Sequence, residues 1–513
     1  MRTPSRLCRA ATAVTMFVTV AGCQNVLEVQ PETFSGTTTY YQTPDQMERA
    51  IFGAYAVLQT TYGGGATGPM WLLAEMRSDN TTYEFNVQNR STSPQETIDT
   101  FVTSADNNST VAGWNNAYVG ILQSNTILDR IDPVVYTDAA AKNRIIGEAK
   151  FLRALHYFNL VRLFGDVPLI LKETQSYEGA FTSVRTPADS VLRVVIADAK
   201  DAIAKLPTRA ALPAAQRGRA TQGAASMLLA DVYMWQKNWQ EAANILQTVT
   251  AMGYTLVTSG TPTAYDRVFD PAAKNGPESI FEIQYTDAVI GEGSGYAVRF
   301  APITSGTTFT AGGDNANNGG WNIPTRDMLR AYEPGDQRKA ASIGMYVNTT
   351  RNPAETDVAI GDTIPYVKKF LHPYTLAGRQ NDDFQVWRYA EALLNYAEVL
   401  NELGRTSEAY TYLNQVRARA GLPALAAGLS QANFRDAVFR EERVELAFEN
   451  KRWFQLVRSG RAVATMNAHG ADLKGYAVGR RDPGTYAVTA NMLIYPIPVR
   501  EITTNGLTQN PGY

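Results

Sequence analysis

The 513-residue sequence predicts a mostly α-helical protein, built of repeated helical hairpins and interrupted by one loop-rich insert that carries a few short strands. Three observations predict it. Long stretches place apolar residues at helical spacing. Two well-separated segments repeat each other's small and large apolar positions. Between them, residues 251–384 lose the helical period and turn rich in Gly, Asn, Pro and Thr.

The N-terminus comes first. Arg2, Arg6 and Arg9 precede an apolar run from Ala10 to Ala21 that contains no acidic residue. A run this short falls below the roughly 20 residues a spanning helix needs and reads as the core of a secretory signal. It ends in Val20-Ala21-Gly22-Cys23, small residues before a cysteine, which resembles a bacterial lipobox with Val20 in the usual leucine position. The resemblance implies cleavage of residues 1–22 and attachment of diacylglycerol to Cys23, with several acyl chains giving firm anchoring. The only other cysteine, Cys8, lies in the leader, so the mature chain has no disulfide available. Formal charge is 47 − 49 = −2, and −5 once the three leader arginines are gone. No arginine-rich tract occurs, which argues against a nucleic-acid partner. Residues 23–40 read as a lipidated tether and 41–513 as a single domain.

Within that domain, residues 41–250 and 385–460 form the predicted helical scaffold. Helices are expected at Pro44–Thr60, Trp114–Ile131 and Glu148–Gly165. The last is apolar on every face, the mark of a buried helix, and stops at a glycine followed by Pro168. A further helix is expected from Pro187 to Leu206, with Thr186 as N-cap. Ala230, Ala242, Leu246 and Val249 then recur, at the same spacings, as Ala397, Ala409, Leu413 and Val416. Each set spans two helices around a short turn, Lys237-Asn238 or Gly404-Arg405. Small residues let antiparallel helices approach while leucines fill the groove beside them, which is the tetratricopeptide pattern.

The insert, 251–384, shows one clear strand, Ser279–Tyr285, and residues 461–513 read as irregular. Gly312 to Trp321 is the most loop-like stretch; its Asp and Asn residues fail calcium-loop spacing, so no metal is assigned. His156, His372 and His469 show no ligand spacing, and His156 reads as a hydrogen-bonded core residue. No nucleophile elbow, phosphate loop or dinucleotide fingerprint is present, and no cofactor is implied. Glu441 and Glu445 share a helix face, but a hydrolytic carboxylate pair must flank the sugar from opposite sides. Their alternation with Arg440 and Arg443 reads as an ion-paired face.

Several blocks carry a family resemblance. Glu148–Ile170 (EAKFLRALHYFNLVRLFGDVPLI), Arg440–Gly460 (REERVELAFENKRWFQLVRSG), the helix expected over Trp387–Leu403, and the C-terminal Leu493–Tyr513 resemble, in order, the signatures of SusD/RagB-like outer-membrane lipoproteins. The resemblance implies a non-enzymatic surface lipoprotein, held in outer-membrane lipid through Cys23. It would capture an oligosaccharide, or a peptide, and pass it to a SusC-like TonB-dependent transporter. A surface glycoside hydrolase and a periplasmic tetratricopeptide scaffold are the alternatives. In such proteins glycan-binding aromatics come from loops, and two stretches here combine aromatics with amides. Asp79–Gln88 supplies Tyr83, Phe85 and Asn86; Tyr296–Trp321 supplies Tyr296, Phe309, Asn315 and Trp321. Trp321, preceded by two glycines, is the leading candidate for a stacking platform. The competing reading has Tyr83, Phe85 and Trp321 plug gaps between insert and scaffold.

Overall fold

The computed structural model describes residues 40–63, 68–86, 90, 93–174, 184–289, 291–310, 319–349, 359–376, 378–476 and 484–513. The leader, Cys23 and nearly all of the tether lie outside the described residues.

From Pro44 to Arg419 the long scaffold helices pack each on the next in chain order. Helix α1 (Pro44–Tyr62) starts at a reciprocal cap, Thr43 bonding the Gln46 amide and Gln46 bonding back. Helix α2 (Asn108–Arg130) begins at Asn107, whose side chain accepts from the Ser109 amide at 2.9 Å. Helix α3 (Ala139–Phe164) is the central, all-round buried helix its composition predicts, and it ends at Gly165 with φ +74°. Helix α4 (Ala188–Lys205) departs from expectation at its start. Pro187 occupies the N-cap position, and Thr186 instead pairs with Val167 in a two-residue bridge. The cap comes from across the turn, where Asp166 Oδ1 accepts from the Ala188 amide at 2.8 Å.

The two sequence repeats are helical hairpins, α5 (Gln222–Trp235) with α6 (Trp239–Thr250), and α7 (Tyr389–Glu402) with α8 (Thr406–Arg419). Their turns need positive φ at Lys237 (+56°) and Gly404 (+75°). All eight repeated apolar positions are buried, and truncating Leu246 or Leu413 to Ala would cost about 2–5 kcal/mol. Helix α6 packs directly on α7, so the stack continues past the insert as though it were absent. Helices α9 (Gln431–Glu445), α10 (Arg452–Arg458) and α11 (Ala462–Tyr476) follow. Helix α11 corrects the irregular reading of 461–513. Its core contacts, Ala462, Met466 and Leu473, do lie at helical spacing, but Gly470 and Gly475 interrupt the pattern.

The insert is closed at its base by an antiparallel pair, β1 (Ser279–Ile283) and β4 (Phe384–Arg388), and holds a hairpin of β2 (Ile343–Val347) and β3 (Thr363–Val367). Trp387, expected on a helix, is on β4; pairing with Phe281 holds the chain extended until Tyr389 starts α7. One core group also differs from expectation. His156 is fully buried on α3, but neither ring nitrogen has a hydrogen-bond partner among the described residues. Burial drives its pKa down to about 4, so the ring packs as a neutral, nearly apolar disc.

Candidate ligand-binding surface

The segment Asp79–Asn86 is fastened to the scaffold at its root. A π-helical turn, Trp71–Met76, buries Glu75, which accepts from Asn80 Nδ2 and from the backbone amides of Phe448 and Asn450, each at 3.0 Å. Burial lifts Glu75 to about 7 despite those bonds. Asp79 receives Arg452 in a bidentate pair at 2.8 and 2.9 Å, with Arg443 beside it at 3.1 Å. Burial opposes ionisation of Asp79, but the two guanidinia outweigh it and hold the carboxyl well below the usual range. Arg443 also reaches Asn80 Oδ1 at 2.9 Å. The Arg440–Gly460 block therefore fixes the base of the first candidate stretch.

Beyond that root, the two candidate stretches meet. Thr81 and Thr82 pair with Pro324 and Ile323. The Glu84 amide donates to Gly320 O at 2.8 Å, and Glu84 Oε2 accepts from the Ile303 amide at 2.7 Å. Gly320 has φ +80°, and a Cβ there would fall 2.7 Å from Ile303 Cγ1, so only glycine fits the crossing.

Three of the aromatic candidates face inward at this junction. Trp321 is 4% exposed, its ring 6.0 Å from Tyr83 and 6.4 Å from Trp71, and Tyr83 is 6% exposed. Gly320 serves the close backbone crossing, and the indole beside it is packed, not projecting. Tyr296 is 1% exposed, stacked near Phe300 and Phe370, with its hydroxyl donated to Tyr62 O. The gap-filling reading thus describes Tyr83 and Trp321, and Tyr296 joins them in the core. Phe85 and Asn86 are half-buried at the rim; Arg90 lies 4.2 Å over the Phe85 ring and bonds Asn86 O at 3.2 Å. Asn315 lies outside the described residues.

Phe309 behaves differently. It is half-buried and joins two rings that sequence reasoning passed over, Tyr366 at 4.6 Å and Tyr346 at 5.8 Å, both on the β2–β3 hairpin. Tyr346 donates its hydroxyl to Thr304 O at 3.0 Å, which ties the hairpin to the 299–310 segment. Tyr346 is half-buried, and exposed Met345 and Val347 flank it. The run Ile343-Gly-Met-Tyr-Val, rich in β-branched and aromatic residues, was the available signal for this strand.

The charged helix is settled by its partners. Arg338 bonds Asp336, Glu441 and Glu445; Arg388 bonds Glu278, Glu445 and Glu449; Arg419 bonds Glu278 and Glu445. All are buried. Burial works against Glu445's charge, but Arg419, Arg388 and Arg338 hold it ionised far below its usual range. With both carboxylates engaged by arginines inside the protein, Glu441 and Glu445 do not form an acid–base pair open to a sugar.

Comparisons with known proteins fit this architecture. A sequence model described as the SusD family matches residues 277–513. A second, described as starch-binding associating with outer membrane, matches residues 28–234. The chain belongs to the SusD family. The SusD-like protein P2 of Formosa agariphila is 27% identical, with 98% of this chain and 99% of that one aligned. The starch-binding protein SusD of Bacteroides thetaiotaomicron is 26% identical over 77% of this chain and 76% of that one. Among solved structures, a laminarin-binding SusD-like protein superposes with TM-score 0.75 at 26% identity, covering 91% of this chain and 99% of the other. The SusD fold, helical and tetratricopeptide-like, is the fold described above.

Proposed function

We propose that this protein is a non-catalytic surface lipoprotein that captures an oligosaccharide and hands it to a SusC-like TonB-dependent transporter in the outer membrane. The observation that carries the reading is the Phe309–Tyr346–Tyr366 cluster, which joins the hairpin and the 299–310 segment and keeps two half-buried rings. Sugar C–H faces are apolar and stack on such rings, while hydroxyls take amides such as Asn86. The names of relatives, starch-binding and laminarin-binding, support a glycan over a peptide. Cys23 supplies the membrane anchor in this reading.

The test is titration of the purified mature protein, lacking its lipid, against neutral α- and β-glucan oligosaccharides and a peptide library. Saturable glycan binding without hydrolysis, weakened several-fold by Phe309→Ala, is the expected result. Turnover of the sugar, or binding of peptides alone, overturns it.

A further inference from the structure

A second surface, away from the aromatic cluster, has chemistry that the neutral-glycan reading does not use. The connection between α4 and α5 makes two short turns, Arg209–Ala211 and Ala214–Gln216, against the base of the insert. On one side of this connection is a cleft of about 740 Å³, bounded by Arg209, Met252, Val257, Arg267 and the Lys274–Ser279 turn. On the other is a cleft of about 470 Å³ that includes Phe52, Gln59, Gln216 and Gln284. Arg217, Asn275 and Glu282 line both, so the two clefts run together as one trough.

The charges of the trough do not cancel. Glu278 is turned inward, to Arg388 at 2.9 Å and Arg419 at 3.0 Å. Glu282 accepts from the Asn275 amide at 3.0 Å, and burial, with Asp383 beside it, raises it above the usual carboxylate range. Lys274 is held by Asp383, and Arg267 by Asp270. Arg219 is held by Glu148 and Glu48, and two arginines, Arg209 and Arg217, are left against one carboxylate, Glu292, in the smaller cleft. Neither arginine forms an ion pair among the described residues; Arg209 donates to Asn275 O and lies 5.8 Å from the Tyr254 ring, with the charge of Glu282 also acting on it, and Arg217 is exposed. Two guanidinia in one cleft repel each other unless an anion lies between them. Arg forks match the planar carboxylate and the sulfate group, and bind them bidentately. The same trough offers sugar-binding surface beside that charge. Phe52 is 52% exposed, with the Arg219 guanidinium 4.9 Å from its ring, and the glutamine amides lie alongside.

We infer that the trough is a second saccharide site that takes an anionic glycan, a sugar chain bearing uronate carboxylates or sulfate esters, and that Arg217 and Arg209 read its charge. The inference rests on the protein being a glycan binder, and its test separates the two. Purified mature protein is titrated with oligogalacturonate, with the same oligomer fully methyl-esterified, with a sulfated galactan oligosaccharide and with a neutral laminarin oligosaccharide, at low and raised salt.

The expected result is binding of at least one acidic chain, uronate or sulfated, that falls with salt and is lost on esterification of the uronate. Arg217→Gln and Arg209→Gln should each weaken it at least several-fold, while Phe309→Ala leaves it in place. Arg217 is exposed, so its variant should keep the wild-type melting temperature. Acidic chains that bind no better than neutral ones, or acidic binding that survives both arginine substitutions, overturns the inference even if neutral glycan binds at Phe309. Failure of every glycan, neutral and acidic, with peptides bound, overturns the proposed function and this inference together.

Discussion

Gly120 on α2 and His156 on α3 touch so closely that a Cβ at Gly120 would fall 2.0 Å from His156 Nε2. Neither partner can yield cheaply, because the imidazole is fully buried and its helix is packed on every side. Gly120→Ala should therefore destabilise the fold by about 1–3 kcal/mol despite alanine's better helix propensity. Chemical unfolding checks it; a stability equal to or above wild type would mean that the helices part freely.

The same histidine makes stability depend on pH. Folded His156 protonates near pH 4 and an ordinary imidazole near 6.5. Its neutral form is the one the fold accepts, so its contribution is full above pH 6.5 and is lost as pH falls toward 4. The gap of 2.5 between those two values amounts to about 3 kcal/mol. Glu75 and Glu391, lifted by burial to about 7, act the other way between pH 7 and 4.5. Comparison of wild type with His156→Gln at each pH removes that background. The wild type's relative stability should decline from pH 6.5 to 4, and a gap that ignores pH would contradict the assignment.

Arg388 is the centre of the buried ion network. Replacing it with Leu leaves Glu278, Glu445 and Glu449 without their shared cation in the interior. Losing one partner of a buried pair costs about 3–5 kcal/mol. Arg388→Leu should give little soluble protein, or a melting temperature far below wild type. Near-normal melting would show that the network is dispensable.

Trp321 and Phe309 should separate cleanly. Trp321 is enclosed by Trp71 and Tyr83, so Trp321→Ala should lower stability by about 3–5 kcal/mol. Phe309 is only half-buried, and Phe309→Ala should weaken glycan binding several-fold with a small change in melting temperature. Measuring both variants by calorimetry and ligand titration decides it; a stable Trp321→Ala with selectively lost binding would reverse the assignment.

Cys23→Ala should release the protein into the soluble fraction. The motive is Val20-Ala21-Gly22-Cys23 after a short apolar run. Fractionation in a strain lacking the transporter is the measurement, since docking alone could hold an unlipidated chain.

The scaffold was legible because its rules are local. Gly165 and Pro168 mark the end of α3, and the alanine–leucine spacing marks both hairpins, since helical packing needs those sizes at those intervals. What failed was set by distant partners. Trp387 reads as helical until Phe281 pairs with it, and Thr186 reads as a cap until Asp166 takes the role. The same holds at the candidate surface. Whether an aromatic projects or packs depends on what crosses over it, and the Gly320–Glu84 crossing that buries Trp321 joins segments far apart in sequence. Tyr346 and Tyr366 were missed because their meaning lies in Phe309, on another segment.

The pairing of β1 with β4 has a consequence for how such a protein can diversify. The part of the insert between Ile283 and Phe384 leaves and returns through two strands that lie side by side, and α6 meets α7 without it. Lengthening or shortening a loop whose ends are already clamped changes closure entropy only logarithmically, about 0.6 kcal/mol per doubling. Substitutions and insertions around Phe309 can therefore accumulate without passing through an unfolded intermediate. The chain is arranged as a fixed chassis with an exchangeable cartridge, so the chemistry of the loops can change faster than the architecture.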